Sequence, residues 1–234
     1  MESKTIAITT LGCKVNQYDS ATIEEALIDK GHRIVDFKTP ADVYIINTCT
    51  VTHKTDYQSR QLIRRAQKKN PGAQIIVTGC YAQVSAEKLK EIPGVSLILG
   101  NREKQSIADF ITGSPVEESG PRVMVSDIEE KDTFKDPPLR TFSKHTRAFL
   151  KIQDGCESFC TYCIVPRARG KCRSLGPQET LQRLHTLSRQ GFNEVVLTGI
   201  HLGAYGIDLT PTSSLLKVLQ LNEREKPVSR IRIS

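Results

Sequence analysis

Three short apolar runs, at residues 5–11, 43–47 and 74–78, each lead into a cysteine, with stretches of helical periodicity between them. This spacing constrains the fold more than any other feature. A strand that runs parallel to its predecessor needs a long crossover, and an amphipathic helix is the compact way to make one. The crossovers read as helices at 20–30, with Ile23, Ala26 and Leu27 inward and Asp19 or Ser20 as the cap, and at 56–70, stopped by Pro71-Gly72. A short helix at 86–91 before Pro93-Gly94, a strand at 95–99 and a closing helix at 104–111 continue the pattern. Residues 1–112 therefore predict an α/β fold: an N-terminal parallel sheet with helices on both faces.

Between 113 and 147 the periodicity is lost, and Gly113-Ser114-Pro115, Ser119-Gly120-Pro121 and Asp136-Pro137-Pro138 mark an inter-domain linker with one short strand at 122–126. From 148 the alternation resumes: a strand at 148–153, a cysteine loop, a helix at 177–190, a strand at 194–198, a helix at 213–221 and a strand at 230–233. Three parallel strands leave an edge that proteins normally cover or close into a barrel. Residues 148–234 are thus expected to be the start of a barrel in a longer polypeptide, the alternative being a sheet completed by a partner chain.

The chain has 234 residues and seven cysteines, and no apolar run is long enough to span a bilayer. No signal-peptide core follows Met1, so the expected compartment is the cytoplasm. Thiols there are better read as metal ligands or catalytic groups than as disulfides, and the odd count agrees. The net charge of +7 attracts polyanions, which suits nucleic acid but also many ordinary basic proteins.

Cys156, Cys160 and Cys163 sit in a loop after a strand, with no fourth cysteine at matching spacing. Structural zinc takes four ligands, whereas three thiolates on a cuboidal iron–sulfur cluster leave one iron open to an outside chelate. The pattern Cys156-x-x-x-Cys160-x-Tyr162-Cys163 resembles the signature of the radical S-adenosylmethionine superfamily. That resemblance implies a [4Fe–4S] cluster whose open iron is chelated by the amino and carboxylate groups of S-adenosylmethionine. An electron from the cluster then releases methionine and a 5′-deoxyadenosyl radical. The resemblance also implies a partial TIM-like barrel, of which 148–234 would be the first three βα elements. Gly199 would take the place of the glycine-rich contact to the methionine amino group, and Tyr162 would lie where the adenine docks.

Cys13, Cys49 and Cys80 each stand just beyond a predicted buried strand. In a parallel sheet those strand ends share the edge where α/β folds bind ligands, so the three sulfurs can converge. Packing of small apolar cysteines and a three-cysteine zinc site are the competing explanations. Both trios together, with the runs 10–20, 46–51, 77–83, 151–156, 163–170 and 197–201, resemble the methylthiotransferase family, nearest its branch acting on N6-threonylcarbamoyladenosine in tRNA. By that resemblance Cys13, Cys49 and Cys80 would hold an auxiliary [4Fe–4S] cluster carrying the sulfur, while Cys156, Cys160 and Cys163 hold the radical-generating one. The family uses two molecules of S-adenosylmethionine to make a 2-methylthio purine beside the anticodon, which implies a tRNA partner and an electron donor such as flavodoxin or ferredoxin. Arg173-Ser174-Leu175 departs from the family's usual Arg-Ser-Arg, and the family's remaining barrel and RNA-binding β-barrel are not in this sequence. This stretch alone is not expected to complete a turnover.

Arg167, Arg169, Lys171 and Arg173 follow the cluster loop and are expected to ring the mouth of the site, where RNA would enter. Arg60, Arg64, Arg65, Lys68 and Lys69 give one helix face a positive field that suits either an RNA backbone or plain solvation. Asn16 and Gln17 suit either ligand orientation near Cys13 or helix capping, and Cys172 is expected to be an extra thiol outside both trios. Other substrates within the family, an isopentenylated adenosine or a ribosomal-protein aspartate, stay open. So does a non-catalytic iron–sulfur carrier or redox-sensing RNA-binding module.

Overall fold

Strand and helix alternate through the first unit and produce one parallel sheet of six strands: β1 (Thr5–Thr10), β2 (Arg33–Val35), β3 (Val43–Thr48), β4 (Gln74–Gly79), β5 (Val95–Leu99) and β6 (Arg122–Met124), in the order β2-β1-β3-β4-β5-β6. The computed structural model describes residues 3–111, 120–128, 133–134, 136–139 and 147–234, which fall into two units, Met1–Ile128 and Glu129–Ser234. Much of the segment read as a linker lies outside the described residues. The strand expected at 122–126 joins β5 at the sheet edge.

β3 is buried along its whole length, and its alternating side chains serve both layers. Tyr44 and Ile46 pack with Ile63 and Ala66 of α2 (His53–Lys69), Tyr81 and Ala82 of α3 (Cys80–Val84) and Leu89 of α4 (Ala86–Lys90). Val43 and Ile45 pack with Ile23 and Leu27 of α1 (Lys14–Asp29) and with Ile107 and Ile111 at the other face. Each large aliphatic side chain taken from water here contributes about 1.5–3 kcal/mol, and a one-residue slip of β3 would exchange the sets packed against the two helix layers, which fixes the register. Helices on both faces, as expected, follow from this alternation.

Several boundaries differ from expectation, for local reasons. α1 begins at Lys14 with Cys13 at its N-cap, six residues ahead of the predicted start, so neither Asp19 nor Ser20 caps it. Asn16, Asp19 and Ser20 instead lie buried in its first turns, where polar partners hold them. Their polarity masks the helical period. α2 begins at a capping box, Thr55 N–H donating to the Thr52 hydroxyl at 3.3 Å. The segment at Glu103–Asp109 is a 3-10 helix, and β2 and α3 are additional short elements.

In the second unit β7 (Ala148–Lys151), β10 (Glu194–Thr198) and β11 (Arg230–Ile233) are parallel in the order β11-β10-β7. The helices α6 (Pro177–Arg189) and α7 (Leu215–Glu225) lie between them in the chain. The strand expected to run unbroken over 148–153 stops at Lys151. Gln153 and Asp154 form β8, antiparallel to β9 (Arg173–Ser174), and the turn α5 (Val165–Arg169) lies between β8 and β9 in the chain. Among the described residues no helix is long and apolar enough to cross a membrane.

Candidate functional site

β1, β3 and β4 are consecutive neighbours, and their carboxyl ends carry Cys13, Cys49 and Cys80. The register places Thr10 beside Asn47 and Thr48 beside Gly79, so the three chain exits leave one edge side by side. With neighbouring strands about 4.8 Å apart, three ends span roughly 10 Å. Contacts between the exits are direct. A Cβ on Gly12 would lie 2.7 Å from both Cβ and Sγ of Cys49, so only glycine leaves that thiol its place. Gly79 has φ +94°, and a Cβ there would strike the Thr48 carbonyl, so this turn needs glycine twice over.

Asn16 holds the same edge together, its Nδ2 donating to the carbonyls of Leu11 at 2.8 Å and Thr48 at 3.0 Å. Asn47 Nδ2 donates to the Asn16 carbonyl at 3.0 Å and the Ser20 hydroxyl at 2.9 Å. The Asn101 amide, beyond β5, donates towards Cys80 Sγ at 3.9 Å, and Asn101 Oδ1 accepts from Lys104 at 3.0 Å. Lys104 also pairs with buried Asp19. Asn101 was missed in the sequence, although it follows β5 as the cysteines follow β1, β3 and β4. Cys49 and Cys80 are buried and Cys13 is exposed.

Cys156, Cys160 and Cys163 lie on the loop between β8 and α5. Its neck is tied closed. The Cys156 amide donates to the Gly170 carbonyl at 2.9 Å, β8 pairs with β9, and Arg169 Nη1 donates to both Asp154 oxygens at 2.9 Å. Within the loop the Cys163 amide donates to the Cys160 carbonyl at 2.9 Å, and His201 Nδ1 lies 3.7 Å from Cys156 Sγ and 3.4 Å from the Ser158 hydroxyl. Tyr162, at 90% exposure, and Phe159, at 71%, stand out from the loop. Gly199 packs against Gln153: a Cβ on it would lie 2.9 Å from Gln153 Oε1 and 2.7 Å from Leu202 Cδ2.

The basic residues divide. Arg167 and Lys171 are exposed and Arg173 is half-buried, 3.8 Å from Asp154. Arg169, expected with them at the mouth of the site, is 1% exposed. Its guanidinium is committed to Asp154 beside Lys151, which bonds the same carboxylate at 3.3 Å and Asp136 at 2.6 Å. A charge so buried is retained by its partner and offers no donor to a phosphate. On α2, Arg64, Arg65, Lys68 and Lys69 are exposed, while Arg60 donates to the Tyr81 hydroxyl at 2.9 Å.

All seven cysteines are free thiols. Burial pushes the Cys172 thiol above its ordinary value, and its Sγ accepts from Gln153 Nε2 at 3.2 Å while its amide donates to Glu157 of the cysteine loop at 3.2 Å, which gives it a packing role beneath that loop and outside both trios. Among the described residues no three His, Cys, Asp or Glu side chains close around a single ion. The donor sets are nonetheless thiolate only, the ligand type that suits iron–sulfur clusters, and Gly12 lies against the Cys49 sulfur.

Residues 5–100 match the model of Uncharacterized protein family UPF0004. Threonylcarbamoyladenosine tRNA methylthiotransferase MtaB of Bacillus subtilis is 44% identical over 230 residues, 98% of this chain and 51% of the relative. The protein of the same name from Aquifex aeolicus is 40% identical over 87% of this chain and 49% of its own length. A tRNA-2-methylthio-N(6)-dimethylallyladenosine synthase of Fervidobacterium nodosum is 32% identical over 97% and 51%. The chain spans about half the length of the curated relatives it matches. A solved structure of the radical S-adenosylmethionine methyltransferase TsrM from Kitasatospora setae, with cobalamin and a [4Fe–4S] cluster bound, superposes with a TM-score of 0.62 at 14% identity, covering 99% of this chain and 56% of that one. That likeness is one of fold. The thiol-bearing strand ends and the sequence relatives point the same way: over most of its length the chain is similar to about half of each of these tRNA methylthiotransferases.

Proposed function

We propose that the protein of which this chain is a part or the whole adds a methylthio group to C2 of N6-threonylcarbamoyladenosine beside the anticodon of a tRNA, by radical S-adenosylmethionine chemistry in the cytoplasm. The observation that carries this reading is the pairing of two thiolate trios of different construction, one on adjacent strand ends and one on a single loop. In this reading Cys13, Cys49 and Cys80 hold an auxiliary [4Fe–4S] cluster, and Cys156, Cys160 and Cys163 hold a second. Three ligands on each leave an iron free, which an electron carrier would not need. When bound, the second cluster supplies the electron that cleaves S-adenosylmethionine.

The chain's own residues do the remaining work. The Asp154–Arg169 pair and the β8–β9 ladder hold the mouth of the cysteine loop to one shape. Tyr162 and Gly199 are assigned to the S-adenosylmethionine pocket, and Arg167, Lys171 and Arg173 to the tRNA backbone. Flavodoxin or ferredoxin is the assigned class of electron donor. Domain limits of 1–112 and 148–234, joined by 113–147, are part of the same proposal, with β6 of the joining segment added to the first sheet.

The isopentenyladenosine alternative has relatives in its favour, at 32–34% identity against 32–44% for those named for threonylcarbamoyladenosine. Mass spectrometry of tRNA nucleosides from a deletion strain decides between them. Loss of the 2-methylthio derivative of threonylcarbamoyladenosine is the expected result. Loss of the isopentenyl derivative instead would reassign the substrate.

A further inference from the structure

Gln153 has no exposed surface, yet its amide makes bonds in two directions. Its Oε1 accepts from the backbone amides of Ile200 and His201, both at 2.8 Å. Its Nε2 donates to the carbonyls of Asp154 at 3.1 Å and Gly155 at 2.7 Å, and to Cys172 Sγ at 3.2 Å. Both lone-pair positions and both protons are thus engaged, the first pair on the segment after β10 and the second on the residues that enter the cysteine loop. The backbone tie between these stretches, Ile152 N–H to the Thr198 carbonyl at 3.0 Å, stops one residue short of both Gln153 and Gly199. Gly199 is shaped to the same side chain, since any Cβ there would press on Gln153.

We propose that Gln153 is a positioning residue that fastens the Gly199–His201 segment to the base of the cysteine loop, so that the S-adenosylmethionine contacts on both segments keep one fixed separation. The claim rests on the reading that Cys156, Cys160 and Cys163 hold the cluster that binds S-adenosylmethionine. It accounts for the distance of 3.7 Å between His201 Nδ1 and Cys156 Sγ, groups 45 residues apart. It also assigns Gly199 a reason to be glycine that involves no ligand. An amide suits the task because it is flat, uncharged and able to donate and accept at once, where a buried carboxylate would set charge against two carbonyls.

The test uses Gln153→Met, which keeps the volume and removes every hydrogen bond. In the iron-free protein, amide exchange at Ile200 and His201 should quicken about tenfold or more, while β7 and β10 keep wild-type protection. In the iron-loaded protein, affinity for S-adenosylmethionine should fall by about tenfold or more, with iron content and cluster absorbance unchanged. Wild-type exchange at Ile200 and His201 overturns the proposal, as does affinity within about twofold of wild type. Should Gln153→Met not fold, Gln153→Asn, one methylene too short to reach both segments, is judged by the same two measurements. A chain that holds no iron sinks the function proposed above but leaves the exchange arm to decide this inference.

Discussion

The two thiol trios are assembled by different means. In the first unit Cys13, Cys49 and Cys80 are far apart in sequence, and only the packing of β1, β3 and β4 sets them side by side. In the second, Cys156, Cys160 and Cys163 share one loop, and the fold supplies only a neck, made by Asp154, Arg169, Gln153 and β9. A site of the first kind depends on a whole sheet, so any change that shifts a strand reaches every ligand. A site of the second kind survives distant changes but depends on a few buried polar groups beneath it. Stability and metal retention should therefore be coupled in the first unit and separable in the second.

The strongest way to break this contrast is to remove one ligand from each trio. The proposed function expects about eight irons per chain after anaerobic reconstitution. Cys156→Ala should retain about four and lose all reductive cleavage of S-adenosylmethionine, whereas Cys49→Ala should also retain about four but keep the cleavage. Loss of all iron from either variant would contradict independent sites.

Arg169→Met tests the neck. It leaves Asp154 buried with Lys151 and the more distant Arg173, and removing one partner of a buried pair costs about 3–5 kcal/mol. Urea unfolding followed in the second unit should show that loss, with the iron of the first unit untouched. A change under about 1 kcal/mol would mean the pair does not hold the neck.

Gly79→Ala is the counterpart at the strand ends. A Cβ forced against the Thr48 carbonyl at positive φ should cost about 1–3 kcal/mol and lower iron in the first unit in proportion. Undiminished iron in a destabilised variant would uncouple the two quantities and remove the contrast.

The smallest effect concerns acid. The Thr5 hydroxyl, at 2.7 Å, and the Thr5 amide, at 2.8 Å, hold the Asp42 carboxyl below the usual range and pin the start of β1 to that of β3. A depressed carboxyl stabilises the folded state above its unfolded value of about 3.9, and the contribution fades as pH falls through the lower folded value. Asp42 is exposed, so the term is small. Asp42→Asn should flatten the acid limb of first-unit stability slightly, and superimposable limbs would show that this tie is inert.

The α/β class, four of the six strands of the first sheet with their order along the chain, and the cysteines of both trios were legible in the sequence, because apolar alternation and ligand spacing are local patterns; the strand at 122–126 was legible as a strand but was placed in a linker. The start of α1 was not, since Asn16, Asp19 and Ser20 look like surface residues until Asn47, Thr10 and Lys104 arrive to bond them. Arg169 was misplaced for the same reason. In sequence it is one of four alternating cations after a cluster loop, and only Asp154 across the neck draws it inside.

By itself the sequence determined which residue types stand at each strand end and in the loop, since covalent order puts a cysteine there whatever the packing. Tertiary structure alone decided which strand ends are neighbours, which polar side chains are buried, and that Gln153 meets the amides of Ile200 and His201, 47 and 48 residues further along the chain. The physical reason is that a buried polar group is tolerable only when partners complete its hydrogen bonds, and those partners are chosen by the folded geometry.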